Sequence, residues 1–186
     1  MSRLLAVDPA TATGRARELL DAARAQLGIA PNFLRVLAHS PAALESFLGL
    51  YGATSRFALD KATQERVALV VAESNRCSYC LSAHTAIGRG AGLSNDEMLA
   101  NRHGRSADAK AASIVRFAAR LNDETGGVSA DEVNRLRDAG VSDGEVVEVI
   151  ALVALNLFTN ILNKSIAVDI DFPRVEPLGR DVPIAA

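Results

Sequence analysis

Apolar residues recur along most of the chain at steps of three and four, the spacing that gathers them on one face of a helix. No stretch alternates over several residues as a half-buried strand would. The first helical run, Arg15 to Leu27, stops at Gly28, a residue suited to the left-handed turn that closes helices. Pro31 opens a short helix and Pro41 a second one reaching about Thr54, because proline at a first helical position forfeits no needed amide. Asp60 caps a helix through ATQERVALVVAES, and another runs from about Tyr79 to Gly90. Ser94 with Glu97, Ser129 with Glu132 and Ser142 with Glu145 each predict a reciprocally capped helix start. Between the first two of these starts, Asp108 to Leu121 reads as a further helix. The last, Asp143 to about Val168, is apolar around much of its circumference and needs the core or a second subunit to cover it. The pattern predicts an all-α, compact, oligomeric fold of about eight helices. It forms a single domain over residues 1–186, with a core segment at 60–92 and a loose tail at 169–186.

Composition narrows the function classes. The chain has 186 residues, 49% of them apolar, which is enough for one ordinary core. A net charge of −2 with scattered basic residues argues against nucleic acid and anionic membrane as partners. The N-terminal stretch lacks the apolar segment of a signal peptide, and the longest mostly apolar run, Val146 to Phe158, is too short to span a bilayer. A cytoplasmic protein is expected. In that reducing setting two cysteines are more often catalytic or metal-binding than a structural bridge.

Both cysteines lie in ESNRCSYCLSAH, residues 73–84. Residues three and four apart share a helix face, so Cys77, Cys80 and His84 line one side of a turn and a half. A Cys-x-x-Cys at a helix start favours thiolate through the helix dipole, and a histidine one turn on can move its proton. By dipole alone the first cysteine is the more activated. Zinc competes for the same residues, with Glu73, His39 or His103 as a fourth ligand. Against zinc, three ligands crowd one short segment and no second Cys/His pair exists; no metal and no other cofactor is expected. Glu65 shares a face with Ala68, Leu69 and Ala72, where burial should raise its pKa as a proton relay requires. Glu73 is the alternative relay carboxylate. Asn156, Asn160 and Asn163 form one stripe on the last helix, read as ties between helices or subunits, with an active-site role as the second reading. His39 and His103 read as surface or capping groups near helix ends.

The stretch TQERVALVVAESNRCSYCLSAHTAIGRGAG resembles the core motif of the alkylhydroperoxidase D-like (carboxymuconolactone decarboxylase) family. That motif is a glutamate, an apolar helix, then Cys-x-x-Cys-x-x-x-His, and its glutamate falls on Glu65, twelve residues before Cys77. GIAPNFLRVLAHSPAALESF resembles the entry region of the peroxidase-related branch, and the closing helix followed by VDIDFP resembles the family's end. The resemblance implies an all-α fold assembled as trimers or hexamers. It implies a thiol-dependent peroxidase in which Cys80 attacks a hydroperoxide, Cys77 resolves the sulfenic acid as a disulfide, and His84 with Glu65 relays protons. A lipoyl- or thioredoxin-type dithiol, or a peroxiredoxin partner, would close the cycle. Tyr79 stands where the founding enzyme carries a relay histidine, and a phenol of pKa about 10 is a poor proton shuttle at neutral pH. The family's muconolactone decarboxylases work without a redox cysteine pair, which weighs against that activity. A redox sensor without turnover stays open as a third class.

Overall fold

The computed structural model describes residues 2–179, and within them the chain is all helical. Its elements are α1 (Gly14–Leu27), α2 (Asn32–Leu37), α3 (Pro41–Ala53), a 3₁₀ turn (Thr54–Arg56), α4 (Lys61–Ser74), α5 (Ser78–Gly90), α6 (Asn95–Arg102), α7 (Ala109–Asp123), α8 (Ala130–Asp138) and α9 (Asp143–Ile166). The expected punctuation acts where it stands. Gly28 closes α1 at φ 77°, Pro41 opens α3 behind a Ser40 cap, and Asp60 accepts the amide of Thr63 at 2.7 Å.

α4 sits at the centre, packed by α5, α6, α7 and α9. Val67, Leu69, Val70 and Val71 are fully buried, and most of the helix is enclosed on all sides. Polar residues on such a helix must find partners inside. Gln64 donates to the carbonyls of Thr54 and Leu59, and Glu65 and Glu73 each hold cations. One apolar cluster joins α4 to α7, α8 and α9, and a second closes α1, α2 and α3 over Leu155. A third joins the end of α4 and α5 to the residues after α9.

Three expectations change. Ser129 and Ser142 form full reciprocal caps, but Ser94 does not, because the Glu97 carboxylate is engaged elsewhere. It accepts from Arg66, Asn101, Ser106 and the amide of Ala107, which a sequence-local motif cannot anticipate. Second, α9 is long and apolar enough by length and composition to cross a membrane, since its apolar character continues beyond Phe158 to Ile166. Here it packs against α4 and α7 with Asn156, Asn160 and Asn163 buried. Third, the tail is not loose over its described part. Asp171, Val175, Glu176 and Leu178 are hydrogen-bonded to α5, α6 and the end of α4, because α5 presents Ser78, Tyr79 and Ser82 as polar anchors along that side. Residues 180–186 lie outside the described residues.

Candidate active site

The chain turns between α4 and α5 at Arg76, whose φ of 53° lets the cysteine segment start a new helix against the end of the old one. Cys77 becomes the N-cap of α5 and its Sγ accepts the Cys80 amide at 3.3 Å. The two sulfurs lie 2.7 Å apart, both as free thiols, close enough to share a proton. They are buried, at 1% and 2% exposure. Their chemistry diverges. The hydrogen bond with Cys80, the Cys80 amide and the Lys164 charge pull the Cys77 pKa down against burial. Burial and the neighbouring Cys77 push the Cys80 pKa well up, while the Asn163 and Asn160 amides oppose the rise.

His84, one turn beyond Cys80, places Nδ1 2.7 Å from Glu65 Oε2, and Lys61 Nζ lies 2.8 Å from the other oxygen. Burial of Glu65 would raise its pKa, but the charges and hydrogen bonds of His84 and Lys61 outweigh it and the net shift is downward. The expected raised pKa is therefore overturned. Glu65 is an ionised anchor that fixes the orientation of His84. Glu73 faces the opposite flank. It holds Arg102 at 2.7 Å and the Leu178 amide at 2.8 Å, so the structure places it away from the cysteine–histidine face.

A cavity of about 390 Å³ opens onto this face. Cys80, His84, Glu65 and Lys61 line it, whereas Cys77 does not. Its remaining wall is mostly apolar and includes Phe33, Phe47, Tyr51 and Phe172. Tyr79 also lines it, but its hydroxyl donates to Asp171 at 2.7 Å and accepts the Phe33 amide at 3.3 Å. Burial and the Asp171 carboxylate drive its pKa far upward, which removes it from proton transfer near neutrality. His39 is exposed and bonded to the Leu5 carbonyl, and His103 caps α6, so neither joins the site. Among the described residues no group of three or more His, Cys, Asp or Glu side chains is placed to hold a metal ion.

Sequence reasoning missed Lys61, Asp171 and Phe172. Lys61 stands four residues before Glu65 on the same helix, a spacing that pairs such charges and could have revealed it. Asp171 lies 92 residues from Tyr79, and no local pattern connects them.

Residues 41–123 match the model of the carboxymuconolactone decarboxylase family. The matched segment spans α3 to α7 and contains the cysteine pair, His84 and Glu65. No curated protein matches the sequence. Among solved structures, the chain resembles an uncharacterized peroxidase-related protein from Silicibacter sp. TM1040, at 22% identity and a TM-score of 0.77 over 89% of this chain and 91% of that one. It also resembles an alkylhydroperoxidase AhpD core protein, likewise an uncharacterized peroxidase-related protein, from Ralstonia eutropha JMP134. That match has 20% identity and a TM-score of 0.82 over 91% and 92% of the two chains. A third likeness is to the debrominase Bmp8 in complex with 2,3,4-tribromopyrrole, at 16% identity and a TM-score of 0.76 over 90% of both chains. At these identities the likeness establishes the AhpD-like helical fold.

Proposed function

We propose that the protein is a thiol-dependent peroxidase of the alkylhydroperoxidase type, reducing hydroperoxides with electrons from Cys77 and Cys80. The observation that carries this reading is the division of the pair: Cys80 faces the cavity, while Cys77 lies 2.7 Å behind it and out of the cavity wall. The Cys80 thiolate attacks the terminal oxygen of ROOH, forming the S–O bond as the O–O bond breaks, and leaves a sulfenic acid. The departing RO⁻ takes a proton from His84, which Glu65 orients, and becomes ROH. Cys77 sulfur then attacks the Cys80 sulfur; the S–S bond forms and hydroxide leaves as water with a proton from the same relay. A dithiol of lipoyl or thioredoxin type, or a peroxiredoxin partner, restores the thiols in a cytoplasmic setting.

The lowered pKa of Cys77 fits this order. Ionisation of the pair favours the resolving sulfur over Cys80, and Cys80 becomes the nucleophile when its proton passes to Cys77 or His84. Peroxide consumption coupled to a dithiol reductant tests the reading: wild type should turn over and Cys80→Ser should not. A wild-type protein that consumes no peroxide under these conditions overturns it.

The aromatic lining of the cavity supports a second reading, reductive dehalogenation of an aromatic ring. The same two thiol electrons would replace a carbon–halogen bond with carbon–hydrogen, His84 supplying the proton and halide leaving. Halide release from a halogenated pyrrole, measured beside peroxide loss, separates the two.

A further inference from the structure

α9 sends three buried asparagines toward the centre of the fold, and they are not equivalent. Asn156 returns its amide to the Leu152 carbonyl of its own helix at 2.8 Å. Asn160 Oδ1 accepts from the amide of Asn75, which also donates to Asn122, so the amide nitrogen of Asn160 is turned away from Asn75. Asn163 differs from both. It is 4% exposed, it lines the cavity, and its Nδ2 lies 3.4 Å from Cys80 Sγ. Its Oδ1 is buried without a hydrogen-bond partner among the described residues. A buried amide oxygen left in that state is costly, and such groups in folded proteins are partnered by an ordered water, a ligand or a reacting group.

Resting on the peroxidase reading above, we propose that Asn163 is a catalytic residue: its N–H holds the negative charge on the Cys80 sulfur, and its Oδ1 receives the O–H of the bound hydroperoxide. The two halves of one amide then serve the two reacting partners. A hydrogen bond to a charged acceptor is stronger than one to a neutral acceptor, so the N–H stabilises the thiolate more than the thiol. The hydroperoxide has one proton to donate, on the terminal oxygen that sulfur must attack. Accepting that proton at Oδ1 keeps this oxygen against the sulfur and leaves the other oxygen toward the leaving side. After the S–O bond forms, the same Oδ1 accepts from the sulfenic S–O–H. The Asn160 amide also favours the ionised form of Cys80 and reinforces the effect from the side that Asn75 fixes.

The test uses the Cys77→Ser background, in which Cys80 is the only thiol. The rate of alkylation by iodoacetamide against pH reports the Cys80 thiolate without any peroxide. Adding Asn163→Leu, which keeps size and burial, should shift the midpoint upward by about one unit, a tenfold lower rate below the midpoint. Asn163→Asp, which puts a carboxylate beside the sulfur, should shift it further. An unchanged midpoint in either folded variant overturns the charge-holding role, since a merely structural asparagine would alter stability and leave the midpoint in place. The first turnover of cumene hydroperoxide should fall more than alkylation does in Asn163→Leu, and equal losses overturn the acceptor role. Failure of the peroxidase reading shows separately, as absent peroxide loss in the wild type.

Discussion

His84 Nδ1 and Glu65 Oε2 meet at 2.7 Å across two helices, nineteen residues apart in the chain. The contact leaves the far nitrogen of the ring for chemistry, and the Lys61 charge on the other oxygen keeps the carboxylate ionised. Glu65→Gln should retain both thiols yet slow peroxide reduction by roughly 10²-fold, with His84→Ala at least as severe. Both losses should shrink at alkaline pH, where thiolate forms unaided. A pH–rate profile of peroxide loss decides it, and an active Glu65→Gln at neutral pH refutes the role.

Glu73→Gln is expected to behave differently. It breaks a buried pair with Arg102 and weakens the hold on the Leu178 amide. Stability should drop by about 3 kcal/mol, read by urea unfolding, while the folded fraction keeps the wild-type rate.

The cysteine pair should cycle. Mild oxidation should remove both titratable thiols within one chain, without cross-linking chains. Cys77→Ser should trap a dimedone-reactive sulfenic acid at Cys80 and form no disulfide. Dimedone labelling at Cys77 in active Cys80→Ser protein would reverse the assignment.

Acid should weaken the fold in part through Glu97. Burial opposes its ionisation, but hydrogen bonds from Ser106, Asn101 and Arg66 hold its pKa down at about 2, against 4.5 for an ordinary glutamate. A depressed pKa contributes stability above the unfolded value and loses it as pH falls through the folded one. The contribution, about 2 kcal/mol after allowance for solvent screening, should therefore be present at neutrality and disappear between about pH 4.5 and 2. Thermal unfolding across this range should show a shallower acid dependence in Glu97→Gln.

Val147, Ile150, Phe158 and Ile161 are exposed at 65%, 45%, 40% and 56%, forming an apolar stripe on α9. Its spacing is helical and no charged side chain interrupts it: Glu148 is turned to the amides of Ala58 and Leu59. An uncharged stripe matches itself under symmetry, and we propose that further copies of the chain cover it in a trimer or hexamer. Sedimentation equilibrium should give a multiple of 19.6 kDa, and Ile161→Asp should reduce it toward one chain. A monomeric wild type at micromolar concentration excludes the assembly.

The helices were legible because their information is local: the Asp60 cap, the Pro41 start and the Gly28 stop act within a turn of themselves. Cys77, Cys80 and His84 were legible for the same reason. What escaped depends on contacts distant in sequence. Glu97 abandons its expected cap for Arg66 and Ser106, and Asp171 reaches Tyr79 across the fold. The direction of the Glu65 shift escaped too, because burial alone predicts a rise and only the two cations that the fold places beside it reverse the sign.

The docked segment after α9 covers one flank of α5, with Val175 on Ser82 and Glu176 on Ser78, while the cavity opens on the other flank toward Cys80. On the peroxidase reading proposed above, an oxidised pair would offer a reductant the Cys80 sulfur through the cavity and keep the Cys77 sulfur behind it. Which of the two sulfurs a donor meets is then set by the side from which it comes, before its reduction potential has any say.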